Sequence, residues 1–452
     1  MIAKSKVNHC LLPQMTSRHG LITGVTGSGK TVTLQVIIEN LSRSGVPTFV
    51  ADIKGDLSGI SQIAEKSPKL TERAKMLGLS KLYLQSCPVR FWDVYGEHGH
   101  PVQTTIRDMG ADVMAKLLDL TQVQGATLMQ VFKIAEDNDF ILRNLPDLYE
   151  TLGYILDHAK EFESCYGRIA KTSIAAIQRA LIGIEDEGGD ALFGAPKLEL
   201  ADLIIDNIVN ILDATKLMKT PRVYAALLIW LLTEVYESMP EVGDLKQPKF
   251  VMFFDEAHLL FSGTSKVLVN KIEQIIRLIR SKGVGIYFVT QTPGDVPESV
   301  LGQLNNRVQH ALRAYTPKDQ KAVRVAAQTL RQNPKLNTEK VISELRVGEA
   351  LVSFLDETGA PQVVERAWIL PPRSRIGAIA DVERQQIIDA SPIGDKYTER
   401  WDLVGAYEKI KELRMYEPVE DQRRQENILD TFLKSAAKSI GSSFGKKFRR
   451  IF

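Results

Sequence analysis

An α/β fold built on a mostly parallel sheet, with helices on both faces, is the class this sequence predicts. Three observations predict it. Short apolar runs recur as unbroken blocks rather than as alternating residues, which marks strands buried on both faces. Segments with apolar residues at helical spacing separate those runs. One run, Leu21-Ile-Thr23, passes directly into Gly24-x-x-x-x-Gly29-Lys30-Thr31 and then into a helix.

The first strand and its loop open the order of elements, and a helix over residues 32–41 follows. Residues 48–53 (Thr-Phe-Val-Ala-Asp-Ile) make a second buried strand that ends in Asp52-Ile-Lys54-Gly55-Asp56. Residues 81–84 and 91–94 read as further short strands. From about 103 to 192 the strand signal nearly vanishes and apolar residues fall at helical spacing, as in Met114, Leu117 and Leu118, then Ile174, Ile177 and Leu181. Strand character returns at 208–212, ahead of a helix over 221–236 whose opening Pro221 suits a first turn. Residues 250–254 (Phe-Val-Met-Phe-Phe) are a strand, 266–280 a helix and 283–291 another buried strand. Residues 350–355 and 362–369 flank Asp356-Glu-Thr-Gly359 and predict a hairpin at the sheet edge. Sheet signals stop at Pro371-Pro372. The expected organisation is a core over 1–102, a helical insertion over 103–200, the second part of the core over 201–372 and a helical extension over 373–452.

The loop chemistry is that of nucleotide phosphate binding. Gly24, Gly27 and Gly29 let the chain turn its amides inward, so that Val25, Thr26 and Ser28 join them in a cradle. Lys30 can reach the β and γ phosphates, and the Thr31 hydroxyl can ligate magnesium. The helix after the loop aims its positive dipole end at the same anion. Asp255, at the carboxyl end of the 250–254 strand, is placed to hold the magnesium water shell. Glu256 stands one residue farther out, where a base polarises an attacking water. The pair makes hydrolysis of ATP, with Mg2+, the expected reaction. Gln291 ends the 283–291 strand beside the γ-phosphate position and is a candidate sensor or water-positioning residue.

The chain has 452 residues, is 44% hydrophobic and carries a formal net charge of +2, so overall charge selects no partner. Cys10, Cys87 and Cys165 are too scattered for a zinc site or a disulfide framework, and reduced thiols are expected. No apolar stretch is long enough to cross a membrane, and no signal core opens the chain. A cytoplasmic location is the expectation.

The motif set resembles the HerA/FtsK-like P-loop ATPases, and most closely the bacterial HerA-like proteins of the YjgR type. The resemblance rests on Gly24 to Thr31, Asp52-Ile-Lys54-Gly55-Asp56, Asp255-Glu256-Ala-His, the Thr290-Gln291 strand end and Pro371-Pro372-Arg373-Ser-Arg375-Ile-Gly. It implies a RecA-like ring ATPase, a hexamer with nucleotide at subunit interfaces, acting on DNA without sequence specificity. HerA carries a β-barrel ahead of its phosphate loop, and the 23 residues before Gly24 leave no room for one. Asp-Glu-Ala-His also invites comparison with DEAH-box helicases, against which the lack of a second RecA-like domain counts. Arg18, before the first strand, and Arg280, before the Gln291 strand, occupy positions that resemble the group's trans finger and cis sensor. Arg307, Arg313, Arg373 and Arg375 are alternatives.

The last 22 residues set Leu433, Ala437, Ile440, Phe444, Phe448 and Ile451 at helical spacing among six basic residues and no acid. Such a tail can bind nucleic acid, an anionic membrane surface or an acidic partner, or pack on a neighbouring subunit. Two functions remain open: a DNA translocase or helicase, and an ATP-dependent switch or assembly factor acting on a protein or membrane partner.

Overall fold

A computed structural model describes residues 1–79, 81–262, 266–394, 396–397 and 404–415. One sheet of twelve strands organises them. In chain order the strands are β1 (Ala3–Lys4), β2 (Asn8–His9), β3 (Gly20–Thr23), β4 (Thr48–Asp52), β5 (Val89–Asp93) and β6 (His100–Pro101). They continue with β7 (Val209–Asp213), β8 (Phe250–Phe254), β9 (Val284–Thr290), β10 (Asn306–Gln309), β11 (Glu349–Ser353) and β12 (Glu365–Ile369). The spatial order is β2-β1-β12-β11-β10-β3-β9-β8-β4-β7-β5-β6. Every pairing from β10 across to β6 is parallel, and the four from β10 to β2 are antiparallel.

The unbroken apolar runs are explained by two covered faces. On β8, Phe250, Met252 and Phe254 enter a core shared with the Pro221–Ser238 helix and the helices between β6 and β7. Val251 and Phe253 point the other way, into a core shared with Leu34, Ile37 and Ile38 of the Lys30–Arg43 helix. Alternate residues of a strand serve opposite faces, so a strand buried on both sides has no solvated position to offer. Between β6 and β7 the helices include Ile106–Leu117, Gln122–Asp137, Leu145–Asp157 and Lys171–Asp186, and they pack chiefly on the first of these faces.

Three expectations need correction. Residues 81–84 belong to no strand: Leu82 and Leu84 are half-buried while Tyr83 is exposed, and Gln85 N bonds Arg373 O instead of a sheet ladder. The hairpin of β11 and β12 forms, but it is not the sheet edge, because β1 pairs with β12 and β2 with β1. Strand β10 was not anticipated, since Asn306-Arg307-Val308-Gln309 reads as polar. Its polar groups are buried with partners: Asn306 Nδ2 donates to Met15 O and His19 O, and Arg307 donates to the carbonyls of Leu301, Leu304 and Thr329. The Arg307 guanidinium is thereby engaged with backbone carbonyls of its own chain. The basic tail, residues 431–452, lies outside the described residues.

After β12 the chain crosses the Lys30–Arg43 helix as a strap. The buried Glu39 carboxylate accepts from Arg373 N (3.0 Å), Ser374 N (2.9 Å) and the Ser374 hydroxyl. Gln35 Nε2 donates to Ser374 Oγ (2.7 Å). The strap leads to the Asp381–Asp389 helix, where Arg384 reaches Asp213 at the end of β7 (3.1 Å).

Candidate active site

Parallel strands bring their carboxyl ends to one edge, and the candidate residues that follow β3, β8 and β9 meet there. Register places Thr23 level with Thr290 and Phe254 level with Phe288. The loop from Gly24 to Thr31 is tied to its surroundings by backbone bonds. Gly24 N donates to Gln291 O (3.1 Å), Val25 N to Ala311 O (3.0 Å) and Ser28 N to Val25 O (3.2 Å). Gly24 has φ 149°, and a Cβ there would lie 2.5 Å from His310 Cβ, so no other residue fits. At the crest, Thr26 and Gly27 are exposed, and a Cβ on Gly27 would meet nothing within 4 Å. The cradle therefore opens onto free space.

Lys30 begins the helix and folds back over the loop, its Nζ donating to Gly24 O at 2.5 Å. Burial lowers its pKa; Lys54 adds to that, while Asp255, Glu256 and Asp295 oppose it. Thr31 is half-buried one residue along. Beneath the loop sits His310, fully buried, with Nε2 2.8 Å from Thr33 Oγ1 and Nδ1 3.0 Å from Glu349 O. Burial drops its pKa to about 4, so the ring is neutral at physiological pH. A neutral ring that donates from Nδ1 to a carbonyl must accept at Nε2, which assigns its tautomer.

The Asp255-Glu256 turn is held from below. Tyr224, wholly buried on the Pro221–Ser238 helix, donates its hydroxyl to Asp255 O (2.7 Å), and Ala257 N bonds Val289 O (3.1 Å). Asp255 is 8% exposed; its Oδ1 accepts from Glu256 N (2.9 Å), and burial pushes its pKa up to about 6. A buried carboxylate at the strand edge that also carries Lys30 is a ligand type suited to a hard divalent cation. Glu256 takes the left-handed conformation, φ 47°. Its Oε2 is buried without a hydrogen bond, and His258 Nδ1 stands 3.4 Å away, within ion-pair range only.

Gln291 is exposed at the end of β9. Asp295 braces the loop around it, accepting from Thr290 Oγ1 (2.8 Å), Thr292 N (2.8 Å) and Thr292 Oγ1 (3.0 Å). The arginines fall elsewhere. Arg18 precedes β3 and Arg280 precedes β9, both at the amino ends of strands whose carboxyl ends carry the site. At roughly 3.3 Å per residue, the length of β9 puts Arg280 about 20 Å from Gln291, beyond any side chain. Within one chain Arg280 therefore stands away from Gln291, and it pairs with Asp244 at 2.7 Å. Arg18 lies against Gly359 in the β11–β12 turn. Arg313 bonds Ser343 O, and Arg375 pairs with Glu383.

His310 and Tyr224 escaped sequence reading because each acts through a contact distant in the chain, whereas Asp295 bonds nearby Thr290 and Thr292. The local signals, a lone histidine and an aspartate after a strand, are common.

Comparison with known proteins places this geometry. The family model described as Helicase HerA-like C-terminal matches residues 2–450. The chain is 23% identical over 343 residues to a probable helicase of Methanocaldococcus jannaschii, covering 75% of this chain and 60% of that protein. It is 23% identical over 352 residues to the DNA double-strand break repair helicase HerA of Sulfolobus acidocaldarius, covering 74% of this chain and 62% of that protein. It thus spans about three fifths of the length of these curated relatives. The bacterial conjugative coupling protein TrwB superposes with a TM-score of 0.54 at 13% identity, over 83% of this chain and 91% of that one. TrwB in complex with ADP and Mg2+ gives 0.51 at 13% identity, over 83% and 94%. The fold is the RecA-like phosphate-loop core.

Proposed function

Because the chain belongs to the Helicase HerA-like C-terminal family, we propose that it is an ATP hydrolase whose turnover drives movement on DNA. The observation that carries hydrolysis is Glu256: a buried carboxylate oxygen without a hydrogen bond, at the strand edge that also presents the phosphate loop and Lys30. In this reading the loop amides and Lys30 hold the β and γ phosphates, and Glu256 takes a proton from the attacking water. The water oxygen bonds to the γ-phosphorus as the bond to the β–γ bridging oxygen breaks, and that electron pair leaves with ADP. Thr31 and Asp255 would hold Mg2+, which supplies charge neutralisation on the phosphates.

DNA enters as the substrate named for the Sulfolobus relative, a DNA double-strand break repair helicase. Contacts to the phosphate backbone ignore sequence and weaken with salt. Ring assembly, with an arginine of one subunit completing its neighbour's site, gives Arg18 a use at an edge from which it cannot reach its own nucleotide. The discriminating experiment is ATP turnover with no DNA and with DNA of increasing length. Stimulation that grows with length supports the motor. Turnover that DNA leaves unchanged, together with no DNA binding at low salt, transfers the function to an ATP-dependent switch acting on a protein or membrane partner.

A further inference from the structure

We propose that Lys54 is a further catalytic residue, a second cation that meets the γ-phosphate from the β4 side while Lys30 meets it from the loop. The proposal rests on the ATP-hydrolysing reading above. Strands β4 and β8 are parallel neighbours with Ala51 level with Phe254, so the turn that follows Asp52 stands beside Asp255 and Glu256. That turn is built around one buried carboxylate. Asp52 accepts from Lys54 N (3.2 Å), Gly55 N (2.9 Å) and Leu57 N (2.9 Å), which curls the chain immediately past the strand end. Gly55 completes the curl at φ 71°, with Thr215 Cγ2 only 3.1 Å from where a Cβ would lie.

The side chain this turn presents is exposed, and it shares no ion pair with any described residue. Its electrostatic neighbours are nonetheless those of the site. After burial itself, Lys54 is the largest influence on the Lys30 ammonium, which it opposes, and on the Asp255 carboxylate, which it favours. By strand register the Lys54 turn stands at the same edge as the phosphate loop, and the Lys54 and Lys30 ammonium groups lie within electrostatic range of each other. Their repulsion is relieved when a multiply charged anion lies between them, and the terminal phosphate of ATP is such an anion. As the γ-phosphorus parts from the bridging oxygen, negative charge spreads over the γ-phosphate oxygens, and a cation beside them lowers the barrier. A lysine that merely offset the acidic pair would serve ADP and ATP alike.

That difference sets the test. Lys54→Ala and Lys54→Arg are made in the full chain, and kcat is measured beside the affinities for ADP and for a non-hydrolysable ATP analogue. With Lys54→Ala, kcat is expected to fall on the order of 10- to 100-fold, the scale of losing one charge-stabilising donor. Affinity for the analogue should fall about tenfold while ADP affinity stays within about twofold, as the loss of a single charge-assisted contact to one phosphate requires. Lys54→Arg should recover part of both losses. Equal losses for ADP and the analogue would assign Lys54 a structural role and overturn the proposal. So would wild-type turnover in Lys54→Ala. A wild-type chain with no ATP turnover would sink the proposed function and Lys54's role together, whereas normal wild-type turnover beside an unaffected Lys54→Ala sinks the role of Lys54 alone.

Discussion

Asp52 shows how much a single side chain carries. Burial pushes its pKa up to about 7 from 3.8, with Asp56 and Asp255 adding to the rise and the backbone donors of Leu57 and Gly55 opposing it. A carboxyl whose folded pKa lies above its unfolded one favours the folded state most at low pH, and that contribution is lost as pH climbs from about 4 to 7. Asp52→Asn keeps an acceptor for the turn and cannot titrate. Its stability relative to wild type should therefore improve as pH rises from about 4 to 7, read from urea midpoints without nucleotide and with chelator present. A gap that stays constant with pH would show that Asp52 does not titrate as its burial requires. Glu256 makes the second residue-scale prediction. Glu256→Gln should keep ATP bound and lose turnover by roughly a hundredfold or more, since it removes only the base, whereas Lys30→Ala should abolish productive binding. Normal hydrolysis by Glu256→Gln would remove that carboxylate from the mechanism.

Among elements, the strap over the Lys30–Arg43 helix has the clearest energetic signature. Glu39 →Ala would leave Arg373 N, Ser374 N and the Ser374 hydroxyl without their acceptor in a buried place. Orphaned donors of this kind cost about 1–3 kcal/mol each, so with three of them a loss of about 3 kcal/mol or more in unfolding free energy is expected. Glu39 lies more than two turns from the phosphate loop on the same helix. ADP affinity measured at a temperature where the variant is folded should accordingly change little, and a large drop would mean the strap reaches the nucleotide. Element types were largely legible. The runs at 48–53, 250–254 and 283–291 fell close to β4, β8 and β9 because a strand buried on two faces leaves an unmistakable apolar block. Strand β10 was illegible for the opposite reason: Asn306 and Gln309 are buried against groups distant in sequence, Met15 O and Thr23 Oγ1, which no local pattern records.

The whole molecule separates its candidate groups by the direction of the sheet. Parallel strands gather the phosphate loop, Asp255, Glu256 and Gln291 at one edge and leave Arg18 and Arg280 at the other. If Arg18 serves a neighbouring subunit, ATPase activity per chain should rise with protein concentration, and Arg18→Ala chains mixed with wild type should depress activity below the simple average. An active monomer across the working concentration range, shown by mass measurement, would reject the shared site. No helix among the described residues is long and apolar enough to cross a membrane. What the sequence determined by itself was chemistry carried by contiguous residues: the glycine spacing that turns a backbone around phosphate, the acids at a strand end, and the apolar blocks of a covered sheet. These need only local stereochemistry and hydrophobic pattern to be read. Tertiary structure alone decided which ends of the strands coincide, that Arg280 faces away from its own site, and that Lys54 stands beside Asp255. Those facts depend on strand order, and strand order is set by the packing of both sheet faces at once rather than by any run of residues.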